Sequence, residues 1–377
     1  MFRVAAVMGK MNSGGKKNLV MEYYRHIDRS QVQFDFLCDA DSNSIPEDEI
    51  AALGGKVYVV APYQRIGENM KQIAQICREN QYPIIHGYNG TMNVFALRAA
   101  KKAGVPIRIN ESISMAHSGD KKTVLKNILK GFSSCYATNY MANGQMCGIW
   151  QFGQKAFDEG RVRIFKSVID ADRNAFDFAL REKTREAYGL KDNIVFGHIG
   201  RLTAQKNTLF LMDIFHEALK KEPRAKLVII GYGELEKPML EKVRDYEMED
   251  NVLYLGRTED IRRFYNAFDC FLLPSLYEGV PVVGIEAECC GLPMFFSTEI
   301  SKESSPCQDL GHFLPLSAGP AVWADEILKA IRETERTDHS QAIKAAGFDS
   351  VTEAAGLLTY YKELLKANGL EKADYAG

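Results

Sequence analysis

The feature that most constrains this chain is an alternation of short apolar runs with helix-length segments. It proceeds to about residue 167, breaks, and starts again. In the first half the runs are Arg3–Met8, Val32–Cys38, Lys56–Val60, Pro83–His86, Ile107–Asn110, Ser134–Thr138 and Val162–Ser167. Segments with three-to-four periodicity, such as Met92–Ala103, lie between most of them. The pattern resumes with runs at Asn193–Ile199, Ala225–Ile230, Asn251–Leu255, Cys270–Pro274 and Met294–Ser297. Strands separated by helices in this way build parallel sheets covered on both faces. The expected fold class is α/β, with two Rossmann-like doubly wound domains facing across a cleft. The polar stretch Ile169–Asn174 marks the break. It predicts a first domain over residues 1–170 and a second over 171–355, with a last helix, about 356–377, packing back on the first. Ligands of such sheets bind at the carboxyl ends of the strands, where helix N-termini supply partial positive charge.

The longest apolar runs are strand-length, far below the ~20 residues of a membrane-spanning helix. Met1–Met8 reads as a first strand rather than a leader segment. Eight cysteines without any CxxC pair point to reduced, mostly buried thiols of a cytoplasmic protein and argue against zinc. Two Asp-Ala-Asp triplets, Asp39–Asp41 and Asp170–Asp172, are read as turn and cap residues rather than metal ligands. Residues 1–170 hold 22 basic side chains against 15 acidic, and residues 171–377 hold 25 against 34. A basic half joined to an acidic one suits a polyanionic or membrane-surface partner, and equally suits plain solubility.

Five loops after expected strands carry unusual residues. Gly9-Lys-Met-Asn-Ser-Gly-Gly15 is read equally as a phosphate-facing turn and as an ordinary strand–helix turn. In Gly197–Asn207 the cations Arg201 and Lys206 precede a helix expected to begin near Asn207. Two cations beside a helix N-terminus suit a diphosphate, the alternative being a solvated basic loop. The turn beginning at Gly231 could pass close to a ligand, although packing alone would explain it, and at Gly256-Arg257 backbone groups could meet a nucleobase; both are low-specificity signals. The fifth loop, Ser275–Glu286, places Glu278 at a strand end and Glu286 about one turn into a helix starting near Pro281 or Val282. A structural reading makes Glu278 a dipole partner and Glu286 a solvated residue. Yet Glu286 sits among Val283, Ile285 and Ala287, where an unpaired carboxylate is costly and a ligand or partner is expected.

Together these residues resemble the family 4 retaining glycosyltransferases of the GT-B fold, bacterial capsular and exopolysaccharide enzymes in particular. The resemblance rests on Gly200-Arg-Leu-x-x-Gln-Lys-Asn207, on Pro274-Ser-Leu-Tyr-Glu-Gly-Val-Pro-Val-Val-x-x-Glu286 with its Glu-x7-Glu spacing, and on Ala287–Pro293. Asn18–Arg29 resembles the family's first helix. The resemblance implies a nucleoside-diphosphate sugar donor, UDP-sugar being expected, and a saccharide or polyprenyl-linked saccharide acceptor. It implies that Arg201 and Lys206 hold the diphosphate, Glu286 the ribose, and Glu278 with the backbone of Gly279, Val280, Pro281 and Val282 the transferred sugar. Gly200, Gly231 and Arg257 join the donor set, and Gly14 and Gly15 close over the phosphates from the first domain. Glu278, Arg201 and Lys206 are the candidates for catalysis, with no cofactor and no metal. Transfer then retains configuration by a front-face path rather than through a glycosidase-like carboxylate pair. Nucleic acid is not an expected partner.

The first domain departs from the family. Gly14-Gly-Lys-Lys17 stands where relatives carry Gly-Gly-Ala-Glu, and Lys166–Asp170 where they carry Asn-Gly-Ile-Asp. Arg108–His117 replaces a histidine-rich loop. His86, Glu111 and His117 are the acceptor-side candidates, and a donor-binding regulatory partner without acceptor chemistry is the alternative function. Lys121–Phe132 sets Val124, Leu125, Ile128 and Leu129 among lysines. It is read either as an ordinary amphipathic surface helix or as a segment lying on an anionic membrane, placing the protein at the inner face of the cell membrane.

Overall fold

In the computed structural model, which describes residues 1–12, 14–113, 123–258 and 260–370, the chain divides into two compact units. One comprises Met1–Val168 with Ser350–Gly377, the other Ile169–Asp349.

The first unit is built on strands β1 (Phe2–Gly9), β2 (Val32–Asp39), β3 (Lys56–Val60), β4 (Ile84–Gly87), β5 (Ile107–Ser112), β6 (Asn139–Ala142) and β7 (Val162–Ile164). They form one parallel sheet in the order β3-β2-β1-β4-β5-β6-β7. Every residue of β2 and β4 is buried, as expected of strands with helices on both faces. Asp35 inside β2 is fully buried and is satisfied by the Arg3 guanidinium and by the Tyr82 hydroxyl at 2.6 Å. The last helix, Ser350–Ala367, belongs to this unit by packing. Ala354, Leu357, Leu358, Tyr361 and Leu365 are buried in the same cluster as Val4, Phe34 and Ile84.

The second unit carries β8 (Ile194–Ile199), β9 (Ala225–Ile230), β10 (Val252–Gly256), β11 (Cys270–Leu273), β12 (Met294–Ser297) and β13 (Gly311–Leu314). The order is β10-β9-β8-β11-β12-β13, again parallel. In each sheet the strand order reverses once, between β1 and β4 and between β8 and β11. Loops leaving the two strands at such a point diverge to opposite faces and open a crevice.

One strand expectation is corrected, and one strand has no counterpart in the sequence pattern. The run Ser134–Thr138 is not a strand, and pairing with β5 begins only at Asn139. The Arg108 side chain takes the Tyr136 carbonyl at 2.7 Å, while Tyr136 and Ala137 pack on an apolar cluster. The run is therefore apolar because it packs, without belonging to the ladder. β13 has no continuous apolar run to announce it. It is a half-buried edge strand, Gly-His-Phe-Leu, registered on β12 from Met294 opposite Gly311. Among the described residues the eight cysteines are free, and all except Cys135 are buried. No helix among the described residues is long and apolar enough to cross a membrane.

Candidate functional site

The loops after β8 and β11 meet at the switch point of the second sheet. The Leu276 amide donates to the Gln205 carbonyl at 2.8 Å, and the Gln205 side-chain amide donates to the Tyr277 carbonyl at 3.1 Å. These bonds bring Lys206 and Glu278, 72 residues apart in sequence, into an ion pair at 2.6 Å with side chains only 12% and 11% exposed. At that depth water screens the charges weakly, so the two attract each other more strongly than a surface pair would. Arg201 stands at the exposed rim of the same loop, 3.4 Å from Gln205 Oε1.

Close backbone contact fixes this loop. The Gly200 and Leu202 amides donate to the Ile230 and Tyr232 carbonyls at 2.9 and 3.1 Å. Gly231 has φ +139°, and a Cβ placed on it would lie 1.7 Å from the Gly200 carbonyl oxygen. Gly231 is thus a packing requirement of the Arg201–Lys206 loop. Gly231→Ala should cost about 3 kcal/mol or more, from backbone strain and overpacking together. Urea denaturation checks this, and a loss below about 1 kcal/mol would contradict it.

Two helices begin at this point, Thr208–Lys221 and Val282–Cys289, and neither has a side-chain cap bond at its N-terminus. Asn207 precedes the first in a left-handed conformation (φ 54°) and its side chain does not cap it, although the helix begins where the sequence placed it. Uncapped first-turn amides carry partial positive charge available to an anion. Val280 and Val282 turn their side chains onto the cluster containing Ile285, Cys289 and Cys307, and the Ser304 hydroxyl donates to the Gly279 carbonyl at 3.3 Å.

Glu286 is half-buried and accepts a hydrogen bond from the Tyr265 hydroxyl at 2.7 Å. Burial first, and the carboxylate second, hold that hydroxyl protonated far above its ordinary range, so it acts as a donor. The partner expected for Glu286 is thus supplied within the unit. The glutamate buried completely is instead Glu288, bonded by the Ser305 hydroxyl and by the Cys307 amide at 2.9 Å, with its carboxyl pushed up to about 8 by burial.

Sequence reasoning missed three residues here. Gln205 sits inside a quoted motif, yet nothing in the motif announces its stitching role. Tyr265 has no spacing relation to Glu286. His198 did carry a signal, being a polar residue inside the apolar run of β8. Its Nδ1 lies 2.9 Å from the Leu272 carbonyl, which fixes the proton there. Burial lowers its pKa to about 4, leaving a neutral ring whose Nε2 has no partner among the described residues and lies 3.4 Å from where a Gly200 Cβ would sit. Arg257, at the end of β10, is exposed and stacks over Tyr232 at 4.9 Å, donating to its hydroxyl at 2.7 Å.

The first-domain candidates lie in the other unit. Gly14 and Gly15 are exposed at the start of the helix Gly15–His26, with nothing near an added Cβ. The departing Lys16 folds back on the Met8 carbonyl and the Asn89 amide oxygen, and burial lowers its pKa to about 8. His86 and Glu111 are brought together, Nε2 to Oε2 at 2.9 Å, both buried. His86 Nδ1 contacts the Tyr361 hydroxyl at 2.7 Å, and its ring stacks on Tyr88 with centroids 4.1 Å apart. His117 lies outside the described residues.

With this geometry in place, comparison with known proteins gives a consistent result. The sequence profile described as "Glycosyl transferases group 1" matches residues 181–305. The chain is 30% identical over 371 residues to a putative glycosyltransferase, EpsF, of Bacillus subtilis, covering 95% of this chain and 96% of that protein. It is 25% identical over 241 residues to an Escherichia coli UDP-Gal:alpha-D-GlcNAc-diphosphoundecaprenol alpha-1,3-galactosyltransferase, covering 61% of each. Among solved structures, the Anabaena protein HepE in complex with UDP-glucose superposes with a TM-score of 0.78 at 19% identity, covering 97% of this chain and 100% of that one. That likeness establishes the two-sheet GT-B architecture.

Proposed function

The chain belongs to the group 1 glycosyltransferases, and from that premise we propose that it transfers a hexose-type sugar, with retention of configuration, from a UDP-sugar to a lipid-linked saccharide acceptor in cell-surface or capsular polysaccharide synthesis. The observation that carries the reading is the Lys206–Glu278 contact at the β8/β11 switch point, beside two uncapped helix N-termini. The names of the relatives from Bacillus subtilis and Escherichia coli support the reaction class and a diphosphate-linked lipid acceptor.

In this reading Arg201 and Lys206 bind the diphosphate and neutralise the charge that grows on it as the anomeric C–O bond breaks. The acceptor oxygen bonds to the anomeric carbon on the face the phosphate leaves, and its proton passes to a departing phosphate oxygen. Glu286 accepts from ribose hydroxyls, with Tyr265 orienting one of its oxygens. Glu278 and the Gly279–Val282 backbone hold the sugar. Positive charge comes from side chains and helix N-termini, so transfer proceeds without an added divalent metal. A lipid-linked acceptor places the protein at the cytoplasmic face of the membrane.

The test is a screen of nucleotide sugars for thermal stabilisation, followed by donor turnover with a chelator present. UDP-sugars should stabilise the protein most, and sugar release should survive chelation. UDP binding without any release or transfer would instead identify a donor-binding regulatory partner. Activity lost to the chelator and restored by Mn²⁺ would overturn the metal-free mechanism. Glu286→Gln should weaken UDP itself by about tenfold. An effect confined to the sugar would reverse the roles given to the two glutamates.

A further inference from the structure

We propose that the helix Thr123–Lys130, with the adjoining face of Gln145–Phe152, is a surface that docks on an anionic lipid bilayer. An ordinary amphipathic surface helix turns its apolar stripe inward and its charges outward. This one does the reverse. Leu129 alone is buried, whereas Val124, Leu125 and Ile128 are 71%, 42% and 58% exposed, and Phe132 just beyond is 53% exposed. Met146, 49% exposed, and Trp150 lie one turn apart on the second helix. Lys130 Nζ sits 5.4 Å from the Trp150 ring and joins the two helices into one surface.

Charge selects the partner. Between Asp120 and Asp158 the sequence holds five lysines and no acidic residue. Neither helix carries an acidic residue, and Lys126 and Lys130 stand on the first helix among its exposed apolar side chains. Apolar side chains flanked by lysines and a tryptophan suit an interface whose apolar layer lies beneath anionic headgroups. The segment therefore supplies a means of approach to a membrane-resident acceptor. It stands independently of how the donor is bound.

The experiment is sedimentation of the full chain with vesicles of phosphatidylcholine alone and of phosphatidylcholine mixed with phosphatidylglycerol, at low and high salt. The wild type should sediment with the anionic vesicles, less so as salt rises, and much less with neutral ones. Val124→Glu with Ile128→Glu changes only exposed positions and should lower binding at least about tenfold. Lys126→Gln with Lys130→Gln should lower it and flatten the salt dependence. Thermal stabilisation by UDP should be the same in all variants, which separates this proposal from the donor assignment. The proposal is overturned if the wild type stays in the supernatant with every vesicle, or if the glutamate variants sediment like the wild type. It is equally overturned if they merely convert a dimer to a monomer without changing vesicle binding.

Discussion

Replacing Lys206 with alanine should weaken UDP binding by about 1.5–3 kcal/mol, roughly ten- to hundredfold, because a charge-assisted hydrogen bond to phosphate is lost. The geometry adds a second contribution of the same sign. Lys206 neutralises Glu278 at 2.6 Å, and without it a largely buried carboxylate faces the incoming diphosphate. Glu278→Gln makes the converse case. It releases Lys206 from its ion pair, so UDP affinity should hold or rise while sugar turnover falls. Isothermal titration with UDP, with and without the sugar, reads both variants. Undiminished UDP affinity in Lys206→Ala would remove the diphosphate from this loop.

His86→Ala should be the most destabilising single change among the first-unit candidates, at about 3–5 kcal/mol. It leaves the Glu111 carboxylate in a dry interior without its partner. The Tyr361 hydroxyl loses a contact at the same time, and that residue anchors the last helix to the sheet. Glu111→Gln keeps a polar group beside His86 and should cost less. Urea denaturation of both variants decides between two roles for the pair. A large loss makes His86–Glu111 a brace between β4, β5 and the last helix. A loss under about 1 kcal/mol with transfer abolished would make it a working acceptor group.

Much of the second unit was legible because its local rules agree. Apolar runs followed by glycine, cation and helix give strand, loop and N-terminus at predictable places, and Gly200–Asn207 and Ser275–Val282 fall where that reasoning put them. Burial was legible only in outline. In the helix Val282–Cys289, Glu286 and Glu288 both have apolar neighbours in sequence. Which one is sealed off depends on Ser305 and Cys307, contributed by a distant loop. Ser134–Thr138 failed for a similar reason, since an apolar run says that a segment packs but not that its amides join a ladder.

The sequence by itself determined that this chain forms two parallel α/β sheets and that Gly200–Asn207 and Ser275–Pro281 are loops between a strand and a helix. Both follow from local periodicity and turn residues, which act over a few positions. Tertiary structure alone decided that Lys206 pairs with Glu278, that Tyr265 serves Glu286, and that His86 closes on Glu111 and Tyr361. It also decided that the helix at 123–130 turns its apolar stripe outward. Each of these depends on which segments the sheet order makes neighbours. That order is set by packing across the whole unit, which no short window of sequence contains.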